Sequence, residues 1–248
     1  MEITRLSFGI HSFDADAFGD LAPAALAGYL QEAAGRSADG LGFGMAALTR
    51  QGLTWVLART RLVLDAPLRW GDTLTVETWP AGLDRLAALR DFRLLKGGQE
   101  VGRALTTWFA LDLATRKPVR PQGLLPEALH AQPEHVLPVA EPPIPELEAP
   151  TIDRRFQVRF ADIDANLHVT NSSYVAWALE AVDEAGWRER RLATLDVQFL
   201  AEGHLGGYVR SRSAQDVRVP GELALRHQIV REEDGKALAR LRTTWVAR

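Results

Sequence analysis

One stretch decides the fold: RFADIDANLHVTNSSYVAWALEAVDEA, which runs from Arg159 to Ala185. It passes from a short apolar run through a polar turn into apolar residues at helical spacing, and Asn171 or Ser172 is suited to cap that helix. We therefore predict a helix from Ser172 to about Gly186. Because free N–H groups point outward at a helix N-terminus, the turn is well placed to bind a substrate carbonyl and stabilise developing negative charge.

The polar turn holds four candidate residues, each two positions from the next: Asp162, Asp164, Asn166 and His168. A histidine alone is more often structural than catalytic. The Asn and Asp before His168, together with the helix start after it, favour a catalytic role. Asn166 could instead be a turn residue that tolerates left-handed backbone, and the two aspartates could simply stabilise the helix N-terminus.

The composition is that of an ordinary globular protein, long enough for two modest domains, with 248 residues, 46% hydrophobic and 25% charged. A net charge of −3 and a pI near 6.1 give no global signature of nucleic-acid binding. The sequence contains no cysteine, which excludes disulfides, thiolate metal sites and a cysteine nucleophile.

The sequence predicts a soluble, cytoplasmic protein without membrane insertion. The first residues include acids and no apolar segment of the signal-peptide type, and no apolar run is long enough to span a bilayer. The scattered histidines show no metal-ligand spacing, and no glycine-rich phosphate loop or dinucleotide motif is present, so we expect no metal and no cofactor.

A proline cluster divides the chain. Nine of the 13 prolines fall between Pro118 and Pro150, and such a stretch cannot donate a continuous set of backbone hydrogen bonds. We predict an N-terminal domain over residues 1–120, an extended linker over 121–150 and a C-terminal domain over 151–248.

The two halves are related by an internal duplication. A shift of 148 positions places Asp14 on Asp162 and Asp16 on Asp164, and a shift of 137 later places the sequence Thr-Thr-Trp of 106–108 on that of 243–245. Each half has a helix, from Pro23 to about Ala38 in the first half, followed by four or five strand-like runs separated by glycine-containing turns. This order predicts an α+β fold in which an antiparallel sheet wraps around a long helix.

At this level of detail the chain resembles the double hot-dog acyl-acyl carrier protein thioesterases of bacteria and plants. The resemblance rests on DIDANLHVTNSSYVAWALE, supported by LQEAAGRSADGLGFG, WVLARTRLVLDAPLRWGD, ETWP, ALRDF and LDLATRKPVRP. It implies two tandem hot-dog units: a first that forms the acyl-chain pocket and a second that is catalytic. It also implies hydrolysis of fatty acyl-acyl carrier protein, within fatty acid biosynthesis, to free fatty acid and carrier protein.

The resemblance also implies that Glu202 is catalytic, because VQFLAEG stands where the family places a glutamate followed by cysteine. This chain departs from that pattern at Gly203, which replaces the cysteine and excludes a thiol mechanism, and at Thr170, where asparagine is usual. In the first half the Asn and His positions are filled by Phe18 and Asp20, which favours one active site per chain.

The expected roles follow from thioester chemistry. Glu202 or His168 would be the general base, Asp164 would orient Asn166 or His168, and the helix N-terminus would polarise the carbonyl with help from the Asn166 amide. Five residues are candidates for the acyl-chain pocket, with ordinary core packing as the alternative: Leu26, Tyr29, Leu30, Met45 and Trp55.

The expected partner is acyl carrier protein with its bound acyl chain, and a homodimer is possible; no nucleic acid is expected. Two other functions remain open. An acyl-CoA thioesterase would use similar chemistry on an acyl group carried by CoA. A non-catalytic acyl-binding hot-dog protein would retain only the acyl pocket. A hot-dog dehydratase would need a β-hydroxyl site that the sequence does not reveal.

Overall fold

The computed structural model describes residues 2–129, 134–216 and 223–248. Within these ranges there are four α-helices: α1 Pro23–Gly40, α2 Met45–Thr49, α3 Asn171–Leu179 and α4 Glu184–Glu189. The same ranges contain eleven strands: β1 Thr4–Gly9, β2 Leu53–Leu64, β3 Thr73–Asp84, β4 Ala87–Lys96, β5 Gln99–Asp112, β6 Pro118–Val119, β7 Ile152–Gln157, β8 Arg190–Phe199, β9 Tyr208–Gln215, β10 Leu223–Arg231 and β11 Ala237–Ala247.

The chain forms two compact units. The first comprises Met1–Asp14 and Tyr29–Glu141, and its antiparallel strands lie in the order β1-β3-β4-β5-β2, with β6 paired to β5. The second comprises Ala15–Gly28 and Pro142–Arg248, and its antiparallel strands lie in the order β7-β9-β10-β11-β8. Counted from the first strand of each unit, the two orders are the same, as a tandem duplication predicts. The α+β class predicted from the sequence is confirmed.

Helix α1 begins at Pro23, where the missing N–H of proline costs nothing. Its apolar side is buried, with Leu30 2% exposed and Ala33 0% exposed. In the first unit α1 also contacts β1, because the Thr4 hydroxyl donates a hydrogen bond to Ser37 Oγ at 3.0 Å.

In the second unit α3 packs on β9 and β10 of the sheet. Tyr174, Val175 and Ala178 of α3 are buried, and Ser211 Oγ in β9 donates a hydrogen bond to the carbonyl of Trp177 at 2.8 Å. The predicted apolar positions Val175, Ala178 and Leu179 are therefore buried, and Tyr174 and Trp177 beside them are buried as well.

The predicted single helix from Ser172 to about Gly186 is two helices. The turn after Leu179 tightens, with the Val182 N–H donating to the Leu179 carbonyl, and Asp183 then caps α4 by accepting a hydrogen bond from the Gly186 N–H at 2.8 Å. The predicted cap at Asn171 or Ser172 was also displaced, because the N-cap of α3 is Thr170, whose side chain makes no capping bond.

The predicted linker contains more local structure than its prolines indicated. Two short 3-10 helices occur in it, at Pro121–Gly123 and Glu127–Leu129. Further along, the Ile144 N–H donates to Gln198 Oε1 at 2.8 Å and the Leu147 N–H donates to Gln228 Oε1 at 3.0 Å, so side-chain amides of the second unit replace strand partners. Residues 130–133 of this segment lie outside the described residues, and the boundaries 1–120, 121–150 and 151–248 stay a prediction.

None of the helices in the described part of the chain is long and apolar enough to cross a membrane.

Candidate active site

The turn that carries the candidate residues is anchored by Asp162, which is 4% exposed. Its Oδ2 accepts the Arg159 backbone N–H at 2.8 Å, and its Oδ1 accepts the Arg159 guanidinium at 3.0 Å. Burial alone would raise the pKa of the Asp162 carboxyl, but the hydrogen bonds and charge of Arg159 outweigh burial and lower it. Asp162 is therefore a structural carboxylate.

Asp164 shapes the turn around the two candidate polar residues. Its Oδ1 accepts the backbone N–H of Asn166 at 2.8 Å and that of His168 at 3.3 Å, and its Oδ2 accepts the Asn166 side-chain amide at 3.4 Å. The Asp164 N–H donates in turn to the His168 carbonyl at 2.9 Å. The Asp164 side chain thus orients both the backbone and the side-chain amide of Asn166. The bonds between Asp164 and His168 involve only the backbone of His168.

The fold brings His168 together with Glu202, which lies 34 residues further along the chain. His168 Nε2 and Glu202 Oε2 are 3.4 Å apart, and the two side chains are 31% and 36% exposed. The residues that follow them are joined as well, because the Val169 N–H donates to the Gly203 carbonyl at 3.0 Å. The geometry is that of an accessible acid–base pair held by its own backbone.

Two basic groups lie beside this pair. Arg231 Nη2 donates a hydrogen bond to the Glu202 backbone carbonyl at 2.7 Å, which fixes the loop and leaves the Glu202 carboxylate turned toward His168. The ring of His204 lies edge-on to that of His168, with centroids 5.4 Å apart.

Tyr174 is a site residue that the sequence reasoning missed. It is 2% exposed, and its hydroxyl oxygen accepts the Gly203 N–H at 2.9 Å. Burial raises the pKa of Tyr174 to about 12, with Glu202 and Asp164 adding to the shift, so the phenol keeps its proton. The available signal was a tyrosine on the apolar side of the predicted helix, since a buried tyrosine hydroxyl needs a hydrogen-bond partner.

Gly203 has no room for a side chain. A Cβ at this position would lie 2.9 Å from Val169 Cγ2 and 3.0 Å from the Tyr174 hydroxyl oxygen. Because Val169 is β-branched and stiff, it cannot easily move aside. The packing around Gly203 therefore has no space for the cysteine that the resemblance leads one to expect at this position.

The corresponding turn of the first half repeats these backbone contacts without the chemistry. Asp16 Oδ1 accepts the N–H groups of Phe18 at 2.8 Å and Asp20 at 3.1 Å, as Asp164 does for Asn166 and His168. The bridge Ala15↔Leu21 matches Ile163↔Val169. Asp16 and Asp20 then both form ion pairs with Arg248. This copy of the turn is a structural ion-pair site.

The candidate pocket residues on α1 have mixed environments. Leu26 and Leu30 are buried at 1% and 2% exposure. Tyr29 stacks on Phe8 with ring centroids 4.5 Å apart, and its pKa is raised to about 12 by burial and by a hydrogen bond with Asp14. Their role in an acyl pocket stays a prediction.

The two remaining pocket candidates follow α1. Met45 is 41% exposed, and its sulfur accepts a hydrogen bond from Thr54 Oγ1 at 3.2 Å. Trp55 Nε1 donates to the Phe43 carbonyl at 2.9 Å and packs against the buried cluster that contains Phe43 and Leu48. Core packing, the alternative raised from the sequence, accounts for Trp55; a pocket role for either residue is untested.

Among the described residues, no group of three or more His, Asp or Glu side chains is arranged to hold a metal ion.

Comparison with family models matches both halves of the chain. The acyl-ACP thioesterase N-terminal domain matches residues 2–125, and the acyl-ACP thioesterase C-terminal domain matches residues 146–247. Among curated relatives, an acyl-[acyl-carrier-protein] hydrolase of Cuphea viscosissima is 27% identical over 98% of this chain, and a palmitoyl-acyl carrier protein thioesterase of Arabidopsis thaliana is 24% identical over 98%. The chain spans 62% and 64% of the length of these two relatives.

Solved structures share the fold. An acyl-ACP thioesterase from Bacteroides thetaiotaomicron superposes with a TM-score of 0.87 at 23% identity, covering 98% of both chains. The 12:0-ACP thioesterase from Umbellularia californica superposes with a TM-score of 0.86 at 21% identity, covering 99% of this chain and 94% of its own. The tandem hot-dog architecture expected from the sequence is confirmed by these neighbours.

Proposed function

Because the chain belongs to the acyl-ACP thioesterase family, we propose that it hydrolyses fatty acyl thioesters of acyl carrier protein and releases free fatty acid. The observation that carries the proposal is the pair formed by His168 Nε2 and Glu202 Oε2 at 3.4 Å. Both side chains are partly exposed, His168 on the loop that enters α3 and Glu202 on the loop between β8 and β9, so water can reach the pair.

In the proposed reaction, Glu202 and His168 act as one unit on the attacking water. One of them takes the proton as the water oxygen adds to the thioester carbonyl, and the other stabilises the charge that results. The Asn166 amide, oriented by Asp164, and the first N–H groups of α3 donate hydrogen bonds to the developing oxyanion. Collapse of the tetrahedral intermediate expels the carrier thiolate, which accepts a proton, and the fatty acid leaves.

Alanine variants test the assignment. We expect Asn166→Ala, His168→Ala and Glu202→Ala each to lower kcat by roughly 10²-fold or more, the effect of losing a general base or an oxyanion donor. Folding should survive, because these side chains lie at a partly exposed rim. Single-turnover hydrolysis of a fatty acyl thioester on carrier protein measures the effect on catalysis, and circular dichroism checks that each variant is folded.

Two further variants sharpen this test. Glu202→Gln keeps a hydrogen-bonding partner for His168 but cannot accept a proton, so it should be as inactive as Glu202→Ala if Glu202 is the base. Activity clearly above that of Glu202→Ala would make His168 the base and Glu202 its orienting group. Asp16→Ala in the matching turn should leave kcat nearly unchanged. Wild-type kcat in both Glu202 variants would refute a catalytic Glu202.

A further inference from the structure

Arg90 in β4 is a buried cation that the proposed reaction does not use. It is 5% exposed, and among the described residues no carboxylate forms an ion pair with it. Burial lowers the pKa of Arg90 to about 10, so the guanidinium still carries its charge near neutral pH. A buried charge without a counter-ion is costly, and a ligand of opposite charge would remove that cost.

The side chain of Arg90 lies on the face of the first sheet that packs against α1. Thr4 in β1 marks this face, because its hydroxyl bonds Ser37 of α1. Strand pairing carries the same face across the sheet, from Thr4 to Thr78 and from Thr78 to Phe92. Residues two apart on a strand share a face, so Arg90 lies on the same side as Phe92. Arg90 is therefore inside the unit that the sequence predicts to hold the acyl chain.

The polar neighbours of Arg90 do not neutralise its charge. Its Nη1 donates a hydrogen bond to Thr78 Oγ1 at 3.3 Å, and that hydroxyl donates in turn to the Asp91 carbonyl at 2.9 Å. On the next strand Thr106 Oγ1 accepts the Trp108 indole N–H at 2.8 Å. The other guanidinium N–H groups of Arg90 have no acceptor among the described residues. They form the planar fork that matches a carboxylate.

The second unit shows that the fold does not require a cation at this place. Arg90 is paired with Thr106, and the equivalent Thr243 is paired with Leu225. Both threonines accept the indole N–H of the tryptophan two residues later, which confirms that they correspond. Leu225 is 6% exposed. The same position of the scaffold therefore accepts an apolar side chain, and the charge of Arg90 needs another reason.

We propose that Arg90 binds a carboxylate carried by the acyl chain, so that the preferred substrates are carrier-protein thioesters of dicarboxylic acids. This inference rests on the proposed function and names its substrate class. A carboxylate would neutralise the buried guanidinium and accept two of its N–H groups. A hydroxyl on the chain would accept one hydrogen bond and leave the charge, and a methyl end would do neither.

The test compares carrier-protein thioesters of straight acyl chains that end in carboxylate, hydroxyl or methyl, over a series of chain lengths. We expect the wild-type protein to have its highest kcat/KM on a carboxylate-ended chain. Arg90→Leu, which copies Leu225, should lower the ratio of kcat/KM for carboxylate-ended to methyl-ended substrate by about tenfold or more. Arg90→Lys keeps the charge without the planar fork, so it should lower the ratio by a smaller factor.

Arg93→Leu is the matched control. Arg93 lies on the same strand as Arg90 but on the opposite face, is 41% exposed and forms an ion pair with Glu77 at 3.8 Å. This variant should leave the ratio unchanged. Denaturant unfolding adds a second readout, because removal of an unpaired buried charge in Arg90→Leu should not lower the free energy of unfolding. A clear loss of stability with an unchanged ratio would make Arg90 a structural residue and overturn the inference.

The outcomes separate this inference from the proposed function. Hydrolysis of methyl-ended chains with no preference for carboxylate at any length would overturn the role of Arg90 and leave the proposed function standing. If no carrier-protein thioester is hydrolysed, the proposed function fails. Calorimetric binding of a free straight-chain dicarboxylate and of the diol of the same length then decides. Tighter binding of the dicarboxylate that is lost in Arg90→Leu would support the carboxylate site, and equal binding by both proteins would overturn it.

Discussion

Replacing Gly203 with alanine tests the packing that holds the acid–base pair in place. The new Cβ would lie 2.9 Å from Val169 Cγ2 and 3.0 Å from the Tyr174 hydroxyl oxygen. Non-bonded carbons prefer about 3.5 to 4.0 Å, so the loops must separate by roughly 0.5 to 1 Å. Overpacking of this kind costs about 1 to 3 kcal/mol of unfolding free energy.

The same displacement acts on catalysis, because Gly203 follows Glu202 and its carbonyl holds the Val169 N–H beside His168. We expect Gly203→Ala to lower kcat by about tenfold or more, since misplacement by about 1 Å can cost up to 10²-fold. Gly203→Cys, which restores the family's residue, should be no more active than wild type, because its side chain meets the same two neighbours.

Denaturant unfolding and kcat at saturating substrate measure the two effects. Gly35→Ala is the matched control, because a Cβ there meets nothing within 4 Å on an exposed position of α1. It should raise stability by about 0.5 to 1 kcal/mol and leave kcat unchanged. If Gly203→Ala were as stable and as active as wild type, the tight contact would not position Glu202 and His168.

Three further predictions follow from the site and its support. Tyr174→Phe leaves the Gly203 N–H without its acceptor, which should cost about 1 to 3 kcal/mol of stability. It should also lower kcat more than it raises KM, and an effect on stability alone would show that Tyr174 supports the fold and not the reaction. Turnover of acyl-carrier protein should fall with added salt more than turnover of acyl-CoA, because recognition of an acidic protein by arginines is screened; salt-insensitive hydrolysis, or a preference for CoA, would favour the acyl-CoA function. Burial lowers the pKa of His227 to about 3. The stability contributed by its neutral form should therefore be complete above about pH 6.5 and lost as the pH falls toward 3. NMR detection of ring protonation near pH 6.5 in the folded protein would contradict this prediction.

The sequence was most informative where local pattern and tertiary structure agree. The runs LALRHQIVR and ALARLRTTWVA coincide with β10 and β11, because segments rich in Leu, Val, Ile, Trp and Thr between glycine-containing turns favour strands. The shift of 148 positions also predicted the first-half turn, since an aspartate that accepts N–H groups two and four residues later dictates that turn by itself.

The contacts that the sequence could not predict depend on distant residues. Proximity of Glu202 to His168 came from family resemblance, since nothing local to VQFLAEG distinguishes it from a solvated glutamate. Tyr174 was missed because its partner, the Gly203 N–H, is 29 residues away. The break between α3 and α4 was missed because Asp183 caps the second helix in a stretch whose residues are all compatible with one continuous helix.

Comparison of the two turns separates what the fold requires from what the chemistry requires. Both aspartates, Asp16 and Asp164, bond the same backbone positions, so these bonds belong to the hot-dog scaffold. The copies differ where side chains leave the turn: Phe18, Gly19 and Asp20 in the first correspond to Asn166, Leu167 and His168 in the second. The first copy has the unstrained glycine and an ion pair with Arg248, whereas the second has a strained leucine beside a partly exposed histidine. Stability alone would favour the first arrangement at both places, so the strain and exposure of the second fit the catalytic role that we propose for Asn166 and His168.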